Sequence, residues 1–237
     1  MKSCLRLTVL MFTAALSLST QAADAVTDAV QLAYAPYRAA LFRTNGKSQA
    51  EAQQALAQAR QAWAGVVERF ALKPPPPYDR DADFAATLGQ VSAVYDKAAG
   101  EIDAGKLREA HETLEAARDL MAALRQRNGV VVFSDAMNAY HAEMEHLLVR
   151  GQQLLAGPQG LHRLAAQSGV LDYLARQLRA QAPAALLRNA DFEALLKEVE
   201  ASAQNLKKAA LDQDATALQA AMSKLKPAYS RLFLKFG

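Results

Sequence analysis

Apolar residues recur at spacings of three and four along nearly the whole chain from residue 24 onward. This spacing places apolar side chains on one face of an α-helix, whereas a half-buried strand would alternate them with polar residues. Frequent Ala, Leu, Gln, Glu, Lys and Arg favour the same structure, because these residues have high helix propensities. We therefore predict an all-α protein in which antiparallel helical hairpins form one or two bundles of the four-helix type.

Turn-forming residues divide this pattern into eight predicted helices. Asn45-Gly46, Gly105, Asn128-Gly129 and Gly157-Pro158 mark four of the breaks, and Pro74–Pro77 predicts a stiff crossover between the second and third helices. The predicted helices span residues 24–44, 48–71, 81–104, 106–127, 133–155, 160–181, 190–212 and 214–234.

Two segments of the chain have the same pattern. Asp83-Phe84-x3-Leu88-x2-Val91 matches Asp191-Phe192-x3-Leu196-x2-Val199, and a second matching block ends at Leu114 in one copy and Leu225 in the other. The connection between the blocks is about one helical turn longer in the second copy. We expect an internal duplication, with a first bundle region at 23–127 and a second at 128–237, packed as one domain or as two.

The first 22 residues have the layout of a cleaved secretory signal. Lys2 and Arg6 precede an apolar run from Leu7 to Leu18, which is shorter than the roughly 20 apolar residues that a membrane-spanning helix needs. Small residues follow this run, and we expect cleavage after Ala22. The sequence therefore predicts a periplasmic or secreted protein with no stable membrane anchor after cleavage.

The composition of the cleaved chain excludes several classes of function. Lys2 and Arg6 leave with the signal, so the net charge falls from +3 to about +1, which gives no electrostatic basis for binding nucleic acid. Cys4, the only cysteine, leaves as well. Disulfides, cysteine-ligated zinc, iron–sulfur clusters and cysteine-attached haem are therefore excluded. No catalytic motif is present, so enzyme activity stays unassigned.

The hairpin at 79–126 has a tight turn, Ala104-Gly105-Lys106, followed by Leu107-Arg108-Glu109-Ala110 at the start of its second helix. In this it resembles the C-terminal hairpin of the cytochrome b562 and cytochrome c′ family of periplasmic four-helix bundles. The resemblance implies a bundle fold. The family's haem ligands do not carry over, because residues 24–44 contain no methionine and neither 124–127 nor 231–233 contains a histidine.

Histidine and glutamate recur four residues apart on two consecutive predicted helices, beside the apolar stripe of each. Residues four apart share one face of a helix, and bundles build metal sites from histidines and carboxylates on facing helices. We predict a site for divalent iron, zinc or copper. The candidate ligands are His111, Glu115, His141 and Glu145, with Asp135, Met144 and His146 as further candidates.

Other interpretations of these helices stay open. The two His–Glu pairs could be ordinary helical pairs, each stabilising the chain by a few tenths of a kcal/mol, with Arg108 and Arg118 neutralising the glutamates. Methionine sulfur could instead hold Cu(I) or a b-type haem. The Cu(I) candidates are Met121, Met137, Met144 and Met222 with His141 and His146, and the haem candidates are His111 or His141 with Met121, Met137 or Met144.

The last five residues, Phe233 to Gly237, are unusually apolar for a terminus. They either dock on the core, which we favour, or present a surface to a periplasmic protein partner. Three classes of function follow. We favour a binding or accessory protein that holds a metal ion over a structural or protein-interaction module and over a b-type haem electron carrier.

Overall fold

The computed structural model of the protein describes residues 24–237, and the predicted signal segment at 1–22 lies outside the described residues. Within 24–237 the chain forms helices and no β-strand, which confirms the all-α prediction. Between residues 24 and 237, a 3₁₀ turn at Tyr78–Arg80 accompanies nine α-helices. These are α1 (Ala25–Thr44), α2 (Gln49–Phe70), α3 (Phe84–Asp103), α4 (Leu107–Arg127), α5 (Phe133–Ala156), α6 (Gly160–Gln181), α7 (Ala184–Leu187), α8 (Ala190–Leu211) and α9 (Ala215–Phe236).

Side-chain caps fix the starts of several helices where the sequence predicted breaks. Asp24 accepts a hydrogen bond from the Thr27 amide, and Asn189 and Asp214 cap α8 and α9 in the same way. The eight long helices agree with the predicted ones to within three residues at each end. The short helix α7 follows Pro183 and was not predicted. None of the helices in residues 24–237 combines the length and the apolarity needed to cross a membrane.

The helices pack as two sets of antiparallel hairpins. In the first set α1 packs on α2, α2 on α3 and α3 on α4; in the second set α5 packs on α6, α6 on α8 and α8 on α9. Each set is an up-and-down four-helix arrangement, with a longer connection between its two hairpins, at residues 71–83 in the first set and 182–189 in the second. The buried apolar residues of the two sets form one continuous cluster within the described chain, so both contribute to a single core.

The two copies of the repeat take equivalent positions. Both are helical hairpins, α3–α4 and α8–α9, and the matched phenylalanines Phe84 and Phe192 are both buried. Gly105 and Gln213 both adopt a left-handed conformation that closes the first helix. The two connections are equally long, so the extra turn of the second copy lies at the start of α9 and not in the loop. This agreement supports the internal duplication.

The first and last helices of each set meet at the centre of the molecule. We call the space between α1, α4, α5 and α9 the junction. Tyrosines fill much of it: Tyr37 donates a hydrogen bond to the carbonyl oxygen of Leu114 at 3.0 Å, and Tyr229 donates to that of Met137 at 3.2 Å. Long polar side chains connect α4 and α5 across the junction, including an ion pair between the buried Arg125 and the partly buried Asp135.

The C-terminal residues pack on the core. Helix α9 continues to Phe236, two residues beyond its predicted end, and Leu232 and Phe233 are buried. The ring of Phe236 packs edge-on against Phe192 of α8, with 5.3 Å between the ring centroids. The apolar terminus therefore completes the helical core, as the docked alternative predicted.

Candidate functional site

A pocket opens at one end of the junction, where α1, α4, α5 and α9 come together. Its cavity volume is about 40 Å³, and it is partly open to solvent. Aromatic rings of Phe42, Tyr229 and Phe233 form its apolar wall. Its polar lining includes both acidic and basic side chains. An apolar pocket with a few converging polar groups is the usual form of a ligand site.

Three of the four predicted ligands line this pocket: His111 and Glu115 from α4, and His141 from α5. Glu145 lies beside them, with its Oε1 3.7 Å from Nε2 of His141. Met144, one of the further candidates, also lines the pocket. The structure thus gathers the main candidates at one place.

The remaining candidates lie elsewhere. Asp135 is at the start of α5 and pairs with Arg125, whose side chain is 1% exposed. His146 contacts Gln167 of α6, away from the pocket. Met121 and Met137 are buried in the core, and Met222 does not line the pocket. Met144 is therefore the one methionine of the four candidates that lies in the pocket with a histidine.

His111 is held in one tautomer by helix α1. Its Nδ1 lies 2.9 Å from the carbonyl oxygen of Leu41. Because a carbonyl oxygen only accepts hydrogen bonds, Nδ1 carries the ring proton. Nε2 therefore keeps its lone pair, to which the Asn45 amide donates at 3.2 Å, and it lies 3.8 Å from Oε1 of Glu115. This nitrogen and this carboxylate oxygen are both acceptors, so no hydrogen bond joins them.

His141 has the opposite tautomer. Arg118 donates to its Nδ1 from Nη1 at 3.0 Å, and a guanidinium group can only donate. The ring proton is therefore on Nε2, which faces Glu145. The ring is also packed on Tyr229, with 5.3 Å between the centroids. Arg118 at Nδ1, Glu145 near Nε2 and the ring of Tyr229 thus hold the His141 imidazole in place.

Burial keeps both imidazoles neutral. The His141 side chain is 14% exposed, and its burial, followed by the charge of Arg118, lowers its pKa from 6.5 to about 4. Burial also lowers the pKa of His111. Both rings therefore carry no charge at neutral pH, and each offers a nitrogen lone pair to the pocket.

Arg118 lies among the candidate ligands. Its Nη1 is 3.0 Å from Nδ1 of His141 and 3.6 Å from Oε1 of Glu115. Its Nε is 3.2 Å from the carboxylate of Asp119, which is exposed. One nitrogen of a positively charged group thus occupies the position on which an imidazole and a carboxylate converge.

A second basic residue, Lys226 of α9, also lines the pocket. Its Nζ lies 2.9 Å from Oε1 of Glu145. Glu115 and Glu145 therefore each have a basic neighbour. Across residues 24–237, no three His, Cys, Asp or Glu side chains are arranged to hold a metal ion as they stand. Within the described residues, the side chains that complete the surroundings of the two His–Glu pairs are the basic ones, Arg118 and Lys226. No third acidic or histidine ligand joins them there.

Sequence reasoning missed the roles of three residues at this site. The spacing of i, i+4 and i+7 placed Arg118 on one line with His111 and Glu115, but it was given only the role of neutralising the glutamates. Sequence reasoning did not associate Lys226 and Tyr229 with the site, because no local pattern indicates that α9 packs beside α1 and α5. Comparisons with protein-family models, with curated proteins and with solved structures found no significant match, so the site is interpreted from its own chemistry.

Proposed function

We propose that this chain is an exported binding protein that holds a divalent transition-metal ion in the junction pocket. The proposed ligands are His111, Glu115 and His141. The observation that carries the proposal is the position of Nη1 of Arg118, within 3.6 Å of both Glu115 and His141. A cationic nitrogen there marks the point at which a metal cation would meet the same two ligands. The proposed export rests on the signal-like residues 1–22.

The tautomers support the same ligand set. Metal-binding histidines usually donate their second ring N–H to a carbonyl or a carboxylate, which orients the ring. His111 does this through Leu41 and keeps Nε2 for the metal. His141 faces Glu145 through Nε2 and keeps Nδ1 for the metal. Glu145 is accordingly proposed as an orienting partner of His141, whereas the sequence suggested a direct ligand.

Two imidazoles and one carboxylate suit zinc, and the same set with open positions suits Fe(II). Neutral imidazoles also bind metal without first losing a proton. We therefore propose zinc or iron before copper, because Met144 supplies the only sulfur in the pocket lining formed by residues 24–237 and soft Cu(I) favours several sulfur ligands.

Metal binding requires Arg118 to withdraw. Its side chain ends at the pocket, and its Nε already contacts Asp119 on the exposed side of α4. Rotation toward Asp119 would free Nδ1 of His141 and one oxygen of Glu115 while the guanidinium keeps an acidic partner. The metal ion must therefore displace the guanidinium of Arg118. This displacement lowers the net affinity for the metal but leaves the ligands in place.

The experiment is a metal analysis of protein that has been exported to a periplasm and purified without chelator, followed by titration with Zn²⁺ and Fe²⁺. We expect about one equivalent of metal. The double variant His111→Gln/His141→Gln should lose it, while His162→Gln, an exposed histidine outside the pocket, should not. Thermal melts confirm that the variants are folded. A protein that binds neither metal, or a double variant that binds as the wild type does, would sink the proposal.

A further inference from the structure

We infer that the interior of the junction binds long-lived water molecules, which bridge α1, α4 and α5 between the two four-helix sets. The inference does not depend on the proposed metal site. It rests on buried hydrogen-bond donors that face this interior and have no partner within residues 24–237.

The donors lie on three of the four helices that form the junction. Arg125 of α4 is 1% exposed, and its Nη1 has no hydrogen-bond partner within the described residues, although its other nitrogens bind Asp135. The hydroxyl of Ser134 in α5, a residue that is 2% exposed, is likewise unpartnered there. Gln31 of α1 and Asn138 of α5 each have a buried amide nitrogen in the same situation. Residues 24–237 thus supply no acceptor for four buried donors.

Contacts and helical geometry place these donors on the inside of the junction. The hydroxyl of Tyr34 in α1 donates to Oδ1 of Asn138 at 3.3 Å, so α1 and α5 face each other there. Ser134 lies about one turn before Asn138 on α5 and shares its face. Gln31 lies about one turn before Tyr34 on α1 and shares its face. Arg125 reaches the start of α5 through its ion pair. The donors therefore lie between α1, α4 and α5.

Water is the acceptor that suits these groups. Buried polar groups are almost always paired, and ordered water is the usual partner where the chain supplies none. A bound anion is disfavoured, because Asp135 already neutralises Arg125 and the other three donors are uncharged. A water molecule can also donate its own hydrogens to the carboxylate of Asp135 or to backbone carbonyl oxygens, which keep a second lone pair.

A groove at this end of the junction gives solvent a route to the donors. Its volume is about 530 Å³, and Gln31, Val132 and Phe133 are among the residues that line it. Phe133 directly precedes Ser134 on α5. Gln31 lies ten residues before Leu41 of the junction pocket, which corresponds to about 15 Å along α1. The hydrated region is therefore separate from the junction pocket.

The test counts long-lived water molecules by ¹⁷O magnetic relaxation dispersion on the folded mature chain. We expect Ser134→Ala and Asn138→Leu each to remove about one such molecule from the wild-type number. The matched control is Ser168→Ala. Ser168 is 1% exposed, and its hydroxyl donates to the carbonyl oxygen of Ala165 in its own helix, so its removal should leave the count unchanged. Circular dichroism confirms that each variant is folded.

Melting temperatures give a second readout. If the hydroxyl of Ser134 holds a water molecule, Ser134→Ala loses a hydrogen bond and should melt at a lower temperature than the wild type. A dry hydroxyl would give the opposite sign, because the substitution then removes a buried polar group that has no partner. A higher melting temperature, or an unchanged water count in both Ser134→Ala and Asn138→Leu, overturns the inference. Both outcomes leave the metal proposal standing, because neither residue is a proposed ligand.

Discussion

Arg118 of α4 donates a hydrogen bond from Nη1 to Nδ1 of His141 on α5, at 3.0 Å, and so joins the two halves of the molecule at the junction pocket. The bond fixes the tautomer of His141 and directs its other nitrogen toward Glu145. It also places a positive charge where His141 and Glu115 converge. Stability and ligand binding at this pocket are therefore expected to respond oppositely to the loss of Arg118.

The first prediction concerns the opposite effects that the loss of Arg118 has on stability and on Zn²⁺ binding. Replacing Arg118 with Gln removes the internal cation, so Zn²⁺ no longer has to displace it, and we expect Zn²⁺ affinity to rise at least about tenfold. Without metal, Arg118→Gln should melt at a lower temperature than the wild type, because Glu115 and His141 lose their partner.

The matched control for this change is Arg108→Gln on the same helix. Arg108 is 79% exposed and pairs with the neighbouring glutamates Glu109 and Glu112 on the surface. Its loss should change neither the Zn²⁺ affinity nor the melting temperature appreciably. Isothermal titration and thermal melts measure both quantities. Unchanged or weaker Zn²⁺ binding in Arg118→Gln would contradict the idea that the guanidinium occupies the metal position.

Local periodicity predicted the helices and much of this site. A spacing of four residues places His111 beside Glu115 and His141 beside Glu145, and the short connection after α4 brings the two helices together. The same periodicity could have excluded His146, which is five residues after His141. Five residues correspond to a rotation of about 140° around the helix axis, so the two imidazoles leave the helix on different sides.

The rest of the site depends on tertiary packing that no local pattern contains. Lys226 and Tyr229 enter the pocket because α9, the last helix of the second set, packs against α1 of the first. The tautomer of His111 depends on the carbonyl oxygen of Leu41, a backbone group of another helix. Propensity and spacing describe each helix by itself, and neither determines which faces of distant helices meet.

A second prediction concerns the acid stability of the fold. His141 has a pKa of about 4 in the folded chain and about 6.5 when exposed, so the unfolded chain binds more protons between these pH values. Stability is therefore complete above about pH 6.5 and falls as the pH decreases toward 4. At pH 5 the expected loss from this residue is about 2 kcal/mol.

Urea unfolding at pH 7.5 and at pH 5 tests this. The variant His141→Gln should lose less stability than the wild type between the two pH values, by about 2 kcal/mol. His162→Gln, which removes an exposed histidine, should follow the wild type. An identical acid loss in His141→Gln and the wild type would show that His141 is not buried as a neutral ring.

The ion pair between Arg125 and Asp135 gives a third prediction. Arg125 is 1% exposed, and Asp135 accepts from its Nε at 3.2 Å. Asp135→Asn leaves a buried positive charge without its counterion, so we expect a destabilisation of about 3 kcal/mol or more. The exposed pair Arg231–Glu198 provides the comparison, and Glu198→Gln should cost less than about 1 kcal/mol. Equal effects on urea unfolding would mean that Asp135 does not neutralise a buried charge.

The C-terminus gives a fourth prediction. Deletion of residues 233–237 removes Phe233, which is 8% exposed, and Phe236, which packs on Phe192. We expect a loss of several kcal/mol in the free energy of unfolding, because large buried side chains leave the core. Deleting Gly237 alone should have little effect. A fully stable protein after the five-residue deletion would instead favour the terminus as a surface for a partner.

The last prediction links the neutral histidines to metal binding. Protons compete with a metal for imidazole nitrogens, and two histidines with ordinary pKa values near 6.5 would weaken binding roughly a hundredfold between pH 7.5 and 5.5. In this pocket burial lowers the pKa of His111, and burial with the charge of Arg118 lowers that of His141 to about 4. The Zn²⁺ affinity should therefore fall by less than about tenfold over this range.

In Arg118→Gln the decline should be steeper, because His141 loses a neighbouring charge that disfavours its protonation. Titrations of both proteins at the two pH values decide the matter: a hundredfold decline in the wild type would show that the imidazoles compete with protons as exposed histidines do.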